Sequence, residues 1–470
     1  MQTLPSDSGS GLVLAPFRGI RYARDRVSGI ANVTSPPYDV INGGILDQLR
    51  AADPHNVVRL ILPGVDAHAS KAAAGLLREW LSAGVLIRDR VAALYIYEQC
   101  LPGQDGSSCL QRGIVGLVRL GSPGSAGILP HEGVMPGLVA GRRELMAATQ
   151  ANLEPIFLIY DGEEPGAGGH AAADTATEIM NRVADERAPL VSITTGDGMT
   201  HRLWRLEHPA DQAAIAADLA GRQALIADGH HRYAAYLDLQ AEMRAAGRGV
   251  GPWDYGLAFL VDSAAYPPRL GAIHRVLPGL PPDRAAELAK AAFTVQDLPA
   301  GLSLDDARQL LAAAGQEGPA FLLAGGPVFR LLSHPDPVQL GASMPHGASA
   351  PWQSLDASVM QQLLLGRLWG VCDSERDVLI DHDAADAVRA VSGDATATDI
   401  AERGAGAALS AGSTGPGSIG AAGTAVICNP PPFEAVIRIA AQGERVPRKS
   451  TSFGPKPRTG LVLRTFGPSD

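Results

Sequence analysis

A short apolar run, QALIAD, stops at Asp228, and after a single glycine the sequence changes to a helical pattern, HHRYAAYLDLQ. Four apolar or small residues ending in Asp-Gly read as a strand that finishes at a turn. Beyond it, Tyr233, Tyr236, Leu237 and Ala241 fall at the i, i+3, i+4, i+8 positions of a packed helix face. A strand that turns within one residue into a helix has to sit in a layered fold, with the helix packed back on a sheet. The rest of the chain supports this reading. Apolar, β-branched and aromatic stretches at 92–100 (AALYIYEQC), 113–120 (GIVGLVRL), 154–161 (EPIFLIYD) and YGLAFLVD read as strands. ASKAAAGLLREWLSAGVL places Leu76, Leu77 and Trp80 at helical spacing. The expected fold is therefore mixed α/β or α+β.

The 470 residues are too many for one core, since single cores stop growing at about 250–300 residues. The expected division is a mixed segment at 1–161, a linker or loop at 162–174, a middle segment at 175–278 and a C-terminal segment at 279–470. The last carries a small-residue, Gly/Ser-rich insertion at 396–423, composed like a flexible segment, and a basic tail. Lys and Arg number 39 against 49 Asp and Glu, a net charge of −10, which argues against broad nucleic-acid binding. No run of about 18 apolar residues occurs, and the N-terminus lacks the basic and apolar regions of a signal peptide, so a cytoplasmic protein without a membrane span is expected. Four cysteines without a C-x-x-C pair exclude a zinc ribbon and argue against a disulfide framework.

The corner at Asp228 is the densest chemical signal. A helix N-terminus offers N–H groups and partial positive charge to a phosphate. Gly229 lets a ligand approach the backbone, and Arg232 adds a two-pronged phosphate donor. Asp228 is a candidate to hold Mg²⁺ or to accept a proton. The plainer alternative makes Asp228 an N-cap with Arg232, four residues on, as its ion-pair partner. Adjacent His230 and His231 leave the helix about 100° apart, which suits separate ligand contacts rather than one metal. Three further stretches mix polar residues with prolines. TSPPYDVI presents Tyr38 and Asp39 as substrate contacts, and ILPHEGV presents His131 and Glu132 as an acid/base or metal-ligand couple. RKSTSFGPKPRTG gathers Lys449, Ser450, Thr451 and Lys456 for an anion. DHDAADAV reads as a helix start with acids in its first turn, ahead of a metal cluster.

Together, PFRGIRY at Pro16, PPYDVI at Pro36, HNVVRL at His55, LYIYEQ at Leu94, LPHE at Leu129, ADGHHRY at Ala227 and KSTSFGPKPRTGL at Lys449 resemble the successive motifs of domain-of-unknown-function family 1015. Locally, IADGHHRYAAY is similar to the strand-turn-helix corner of the ParB/sulfiredoxin-like superfamily, and within it to the free-serine kinases. That resemblance implies a ParB/sulfiredoxin-like core in the middle of the chain. It implies Asp228 as a catalytic or metal-facing acid, His230 against a transferring phosphoryl group and Arg232 on donor phosphates, with the base either Glu132 or Asp228. The resulting expectation is a phosphotransferase that uses Mg²⁺ and ATP, ADP or diphosphate to phosphorylate a small hydroxyl compound, free L-serine first. The alternatives are a phosphohydrolase, such as a phosphoserine phosphatase, or a non-catalytic ParB-like nucleotide-binding protein.

Overall fold

The computed structural model describes residues 11–64, 68–101, 108–121, 127–162, 175–372, 374, 377–392 and 423–467. Nearly all of the Gly/Ser-rich insertion and of the 162–174 linker lie outside them. The chain forms two compact units, each built from discontinuous segments. The first comprises Met1–Pro130, Val134–Pro268 and Pro455–Asp470, and the second His131–Gly133 and Arg269–Gly454.

Among the described residues of the first unit, nine strands form one mixed sheet. In chain order they are β1 (Leu14–Ala15), β2 (Leu94–Leu101), β3 (Ser108–Arg119), β4 (Ile128–Leu129), β5 (Ile156–Tyr160), β6 (Val191–Thr194), β7 (Thr200–Leu206), β8 (Ala224–Asp228) and β9 (Tyr255–Asp262). The spatial order is β4-β8-β5-β9-β3-β2-β7-β6, with β1 also on β3. β8 with β4 and β9 with β5 are parallel, and the remaining pairs are antiparallel.

Every residue of β5, β8 and β9 is buried, because both faces of these central strands are covered. This explains why they read in sequence as continuous apolar runs rather than as alternations. One face carries Ile96, Ile156, Leu158, Ile226 and Leu260 into a core completed by two helices. These are α1 (Pro136–Thr149), through Val139 and Met146, and α2 (His230–Ala245), through Tyr233, Tyr236 and Leu239. The other face stacks Phe259 between Tyr97 and Phe157, with centroids 5.1 and 5.5 Å away. The packed face of α2 differs from the expected one at its far end. Ala241 is exposed, and Leu239 and Gln240 are buried instead, because Gln240 donates to Asp254 at 2.8 Å.

The second unit contains a six-stranded, wholly antiparallel sheet. Its strands are β10 (His274–Leu277), β11 (Thr294–Asp297), β12 (Phe321–Ala324), β13 (Arg330–Ser333), β14 (Leu379–Asp381) and β15 (Thr424–Cys428), in the order β11-β13-β12-β15-β10-β14. Separate apolar clusters cover it, one around Phe321, Leu363 and Val426, the other around Leu322, Leu311 and Ile427. The DHDAADAV stretch starts a helix, Ala384–Val391, with Asp383 capping the N–H groups of Ala385 and Asp386.

Burial pushes the Asp356 carboxyl up to about 7, against hydrogen bonds from Asn429 and the Ala320 N–H that favour the charged form. The folded protein thus keeps a proton on Asp356 that the unfolded chain releases near pH 4. Stability is lost as pH rises between those values. Asp356→Asn is expected to stabilise the protein by about 1–3 kcal/mol at pH 8 and by little at pH 4. Thermal unfolding at the two pH values checks this, and equal shifts at both would contradict it.

Candidate functional site

The corner at Asp228 owes its geometry to a bulge. On β8 and β5, Ile226 faces Leu158 but Asp228 faces Phe157, so Ala227 is the extra residue. Such a bulge re-aims the side chain that follows it. Gly229 then adopts φ 97°, ψ 28°, and a Cβ there would meet Arg232 Nε and Ile156 Cγ2 at 3.1 Å. Only glycine meets both demands without strain. Gly229 is also the N-cap of α2, and it makes no side-chain cap. The N-cap alternative therefore fails, while its ion-pair half holds: Arg232 donates to Asp228 Oδ2.

Asp228 binds two cations. Arg232 takes one carboxylate oxygen, and Lys456 Nζ lies 2.6 Å from the other. Lys456 also donates to Asp39 Oδ2, so one ammonium joins two carboxylates. Asp39 Oδ1 is buried and has no hydrogen-bond partner among the described residues. Burial would raise the Asp228 pKa, but Lys456 and Arg232 overcome it and hold the carboxyl below its ordinary value. The same attraction outweighs desolvation at Lys456 and Arg232 and raises both.

A second ring of side chains surrounds this group. Arg232 donates to the Pro155 carbonyl, and its guanidinium lies 5.8 Å from the Tyr38 ring centroid. Arg142 covers the same ring at 4.3 Å. Glu154 accepts from the Tyr38 N–H at 3.1 Å and the Thr459 hydroxyl at 3.3 Å. Burial raises its pKa against the pull of Arg232 and Arg142. The loop bearing Lys456 is pinned by the sheet. Gln111 donates to the Pro455 carbonyl at 2.7 Å, Gln99 to the Lys456 carbonyl at 3.1 Å, and the Arg458 N–H to Tyr97 Oη at 3.1 Å. Arg458 spends its guanidinium on Thr34 Oγ1, at 2.7 Å, and on the carbonyls of Thr34 and Ala31.

The first unit thus brings together Tyr38, Asp39, Asp228, Gly229, Arg232 and Lys456 from three stretches of sequence. His230 is buried in the first turn of α2. His231 Nε2 accepts from the N–H of Met135, the N-cap of α1, at 3.0 Å. The second unit collects the remaining candidates. There His131, fully buried, meets Thr451 Oγ1 through Nε2 at 2.8 Å. Thr451 donates to Glu132 Oε1 at 2.8 Å, and the N–H groups of Thr451 and Ser450 also reach that carboxylate. Burial raises the Glu132 pKa, and Thr451 and Lys449 pull it back down. Lys449 sits at φ 54°, and Ser450 donates to the Pro447 carbonyl.

Reasoning from sequence missed Glu154, Arg142, Gln99 and Gln111 as parts of these arrangements. Glu154 carried a signal, an acid two residues ahead of an apolar strand. Gln99 and Gln111 carried only polarity inside strand patterns.

No helix among the described residues is long and apolar enough to cross a membrane. No curated protein matches the chain. Solved structures with some likeness include a free serine kinase mutant in complex with ADP, at 13% identity, covering 71% of this chain and 89% of that one with a TM-score of 0.32. SbnI with a C-terminal truncation, from Staphylococcus aureus, is 11% identical over 71% and 82%, with a TM-score of 0.31. A conserved hypothetical protein from Pyrococcus furiosus is 12% identical over 71% and 90%, again with a TM-score of 0.31. At these scores the likeness carries neither fold nor activity to this chain. The model of a family described as protein of unknown function (DUF1015) matches residues 14–358, and the chain belongs to that family.

Proposed function

We propose that the protein is a phosphotransferase that moves a phosphoryl group from a nucleotide (ATP or ADP) or from diphosphate to a small hydroxyl compound, with free L-serine as first candidate. The observation that carries this reading is one ammonium, Lys456, joined to two carboxylates, Asp39 and Asp228, beside the N-terminus of α2. Phosphoryl transfer needs cations for phosphate oxygens, an acid for Mg²⁺ and a proton acceptor near the nucleophile. The first-turn N–H groups of α2, which no carbonyl of that helix accepts, and Lys456 supply the first. Asp228 suits the second, because its hard oxygens stay ionised and Oδ1 already seats a cationic group. Mg²⁺ held there would neutralise charge on the donor's phosphate oxygens. Asp39, whose buried Oδ1 has no hydrogen-bond partner among the described residues, suits the third. Arg232 keeps Asp228 ionised and oriented, and Tyr38 closes one side. The motif similarity of IADGHHRYAAY to the free-serine kinases supports serine as acceptor.

Phosphorus NMR of the protein with Mg²⁺ and each donor, with and without L-serine, tests this. A new phosphomonoester signal that requires serine, and that disappears in Lys456→Met, is expected. Phosphate release independent of serine would replace the reading with hydrolysis, and no consumption of any donor would end it.

A further inference from the structure

Strands β2 and β3 bring Cys100 and Cys109 face to face as directly opposed residues of an antiparallel pair. The next pair is Gln99 with Gln111, so Leu110 is an extra residue that bulges from β3 between the two pairs. Opposed residues of antiparallel strands have Cα atoms about 4.5–5.5 Å apart. That range lies inside the roughly 4.4–6.8 Å a disulfide spans. Both sulfur atoms and a carboxylate oxygen of Glu98 lie within 4.8 Å of one another. Cys100 donates to Glu98 Oε1 at 3.2 Å, and all four cysteines are free thiols.

Two thiols and a carboxylate at this spacing could serve a soft metal ion or a disulfide. The surroundings decide between them. Glu98 already receives Arg112 Nε at 2.8 Å and Arg202 Nη1 at 2.9 Å, and Arg202 reaches within 4.0 Å of Cys100 Sγ. Two guanidiniums on the carboxylate oppose a divalent cation but favour a thiolate. Cys109 is half-buried, while Cys100 is 1% exposed, so the pair offers one sulfur to a small reagent and keeps the second behind it.

We propose that Cys100 and Cys109 are a redox-active thiol pair that closes into a cross-strand disulfide by exchange with a low-molecular-weight disulfide such as glutathione disulfide. One thiol of the pair gives up its proton, for which Glu98 is the nearby acceptor, and its sulfur attacks the small disulfide. One glutathione thiolate leaves, giving a mixed disulfide. The second cysteine, deprotonated in turn, attacks the protein sulfur of that intermediate and expels the second glutathione. The protein loses two hydrogens and the small disulfide is reduced to two thiols. The bond would close the sheet next to Gln99 and Gln111, which hold the loop of Lys456. The thiol chemistry itself does not depend on the proposed phosphotransfer.

The test treats the full-length protein with glutathione disulfide, removes the reagent, and counts thiols in denaturant. The expected count falls by two for the crosslink and by one more where the exposed Cys372 takes up glutathione, and proteolysis and mass spectrometry recover a peptide pair joined through Cys100 and Cys109. Cys372→Ser, which removes the exposed thiol, leaves that crosslink intact, and Cys109→Ser and Cys109→Ala each abolish it. Glutathione adducts without the crosslink would overturn the proposal. So would stoichiometric zinc binding that protects both thiols from exchange, since that outcome makes the cluster a metal site.

Discussion

Asp228→Asn is expected to destabilise the protein by about 3–5 kcal/mol, the range for breaking a buried ion pair from one side. The side chains of Asp228 and Arg232 are only 8% and 3% exposed, and Lys456 reaches the same carboxylate. An asparagine keeps the shape but removes the charge. Arg232 then keeps only neutral acceptors, the Pro155 carbonyl and the new amide oxygen, among the described residues, with Glu154 as a nearby opposite charge. Lys456 keeps Asp39. The cost comes from the stranded guanidinium rather than from the lost pair as such, and this sets a discriminating control. Asp228→Asn combined with Arg232→Met should lose less than the sum of the single substitutions, since removing both partners leaves no buried charge unpaired. Thermal and denaturant unfolding measure both effects. If the single variant unfolds like the parent, the pair contributes no net stability and Asp228 is kept for chemistry alone. On the proposed function the same substitution abolishes phosphoryl transfer, and assays well below the variant's melting temperature separate that loss from unfolding.

The sequence was informative where chemistry is local. The strand-turn-helix corner, its glycine and the Asp228–Arg232 pair follow from spacing along one segment. So do strands such as Tyr255–Asp262, whose two buried faces leave an unbroken apolar run. The bulge at Ala227 could not be read, because it is a property of two strands in register. The same holds for the partition of candidates. Lys449, Ser450, Thr451 and Lys456 form one basic stretch in sequence, yet Lys456 belongs to the carboxylates of the first unit, and Thr451 and Ser450 serve Glu132 in the second. Charge counting cannot separate these roles. Arg458 illustrates the same limit, since it belongs to the same basic stretch but its guanidinium is consumed by Thr34 and two carbonyls. The packed face of α2 departs from simple periodicity because Gln240 is drawn inward by Asp254, an attraction no apolar pattern encodes.

Acid should weaken the fold through two buried histidines. His201 and His274 are buried, and both are lowered to about 4 from the ordinary 6.5, chiefly by desolvation, with Arg458 opposing charge on the first and Arg308 on the second. His201 is locked neutral by its partners. Tyr97 Oη accepts the Arg458 N–H, so its own proton goes to His201 Nδ1 at 2.8 Å, and Nε2–H is left to Thr195 at 3.2 Å. His274 Nδ1 accepts the Cys428 N–H at 3.2 Å, a bond that protonation would break. Because the folded values lie below the unfolded ones, the unfolded chain binds more protons between pH 6.5 and 4. Stability is therefore intact above 6.5 and lost as pH falls through that window. Each histidine is worth up to about 3 kcal/mol across it. Denaturant unfolding at half-unit steps from pH 7.5 to 4.5 should show this slope, and His201→Gln and His274→Gln should each flatten it, most visibly at the acid end. Asp356 works in the opposite direction over an overlapping range, so the flattening is clearest in an Asp356→Asn background. Curves for the histidine variants that run parallel to the parent would mean that both imidazoles titrate alike in the folded and unfolded chain. The neutral relay from Tyr97 to Thr195 could not then be what holds His201 in place.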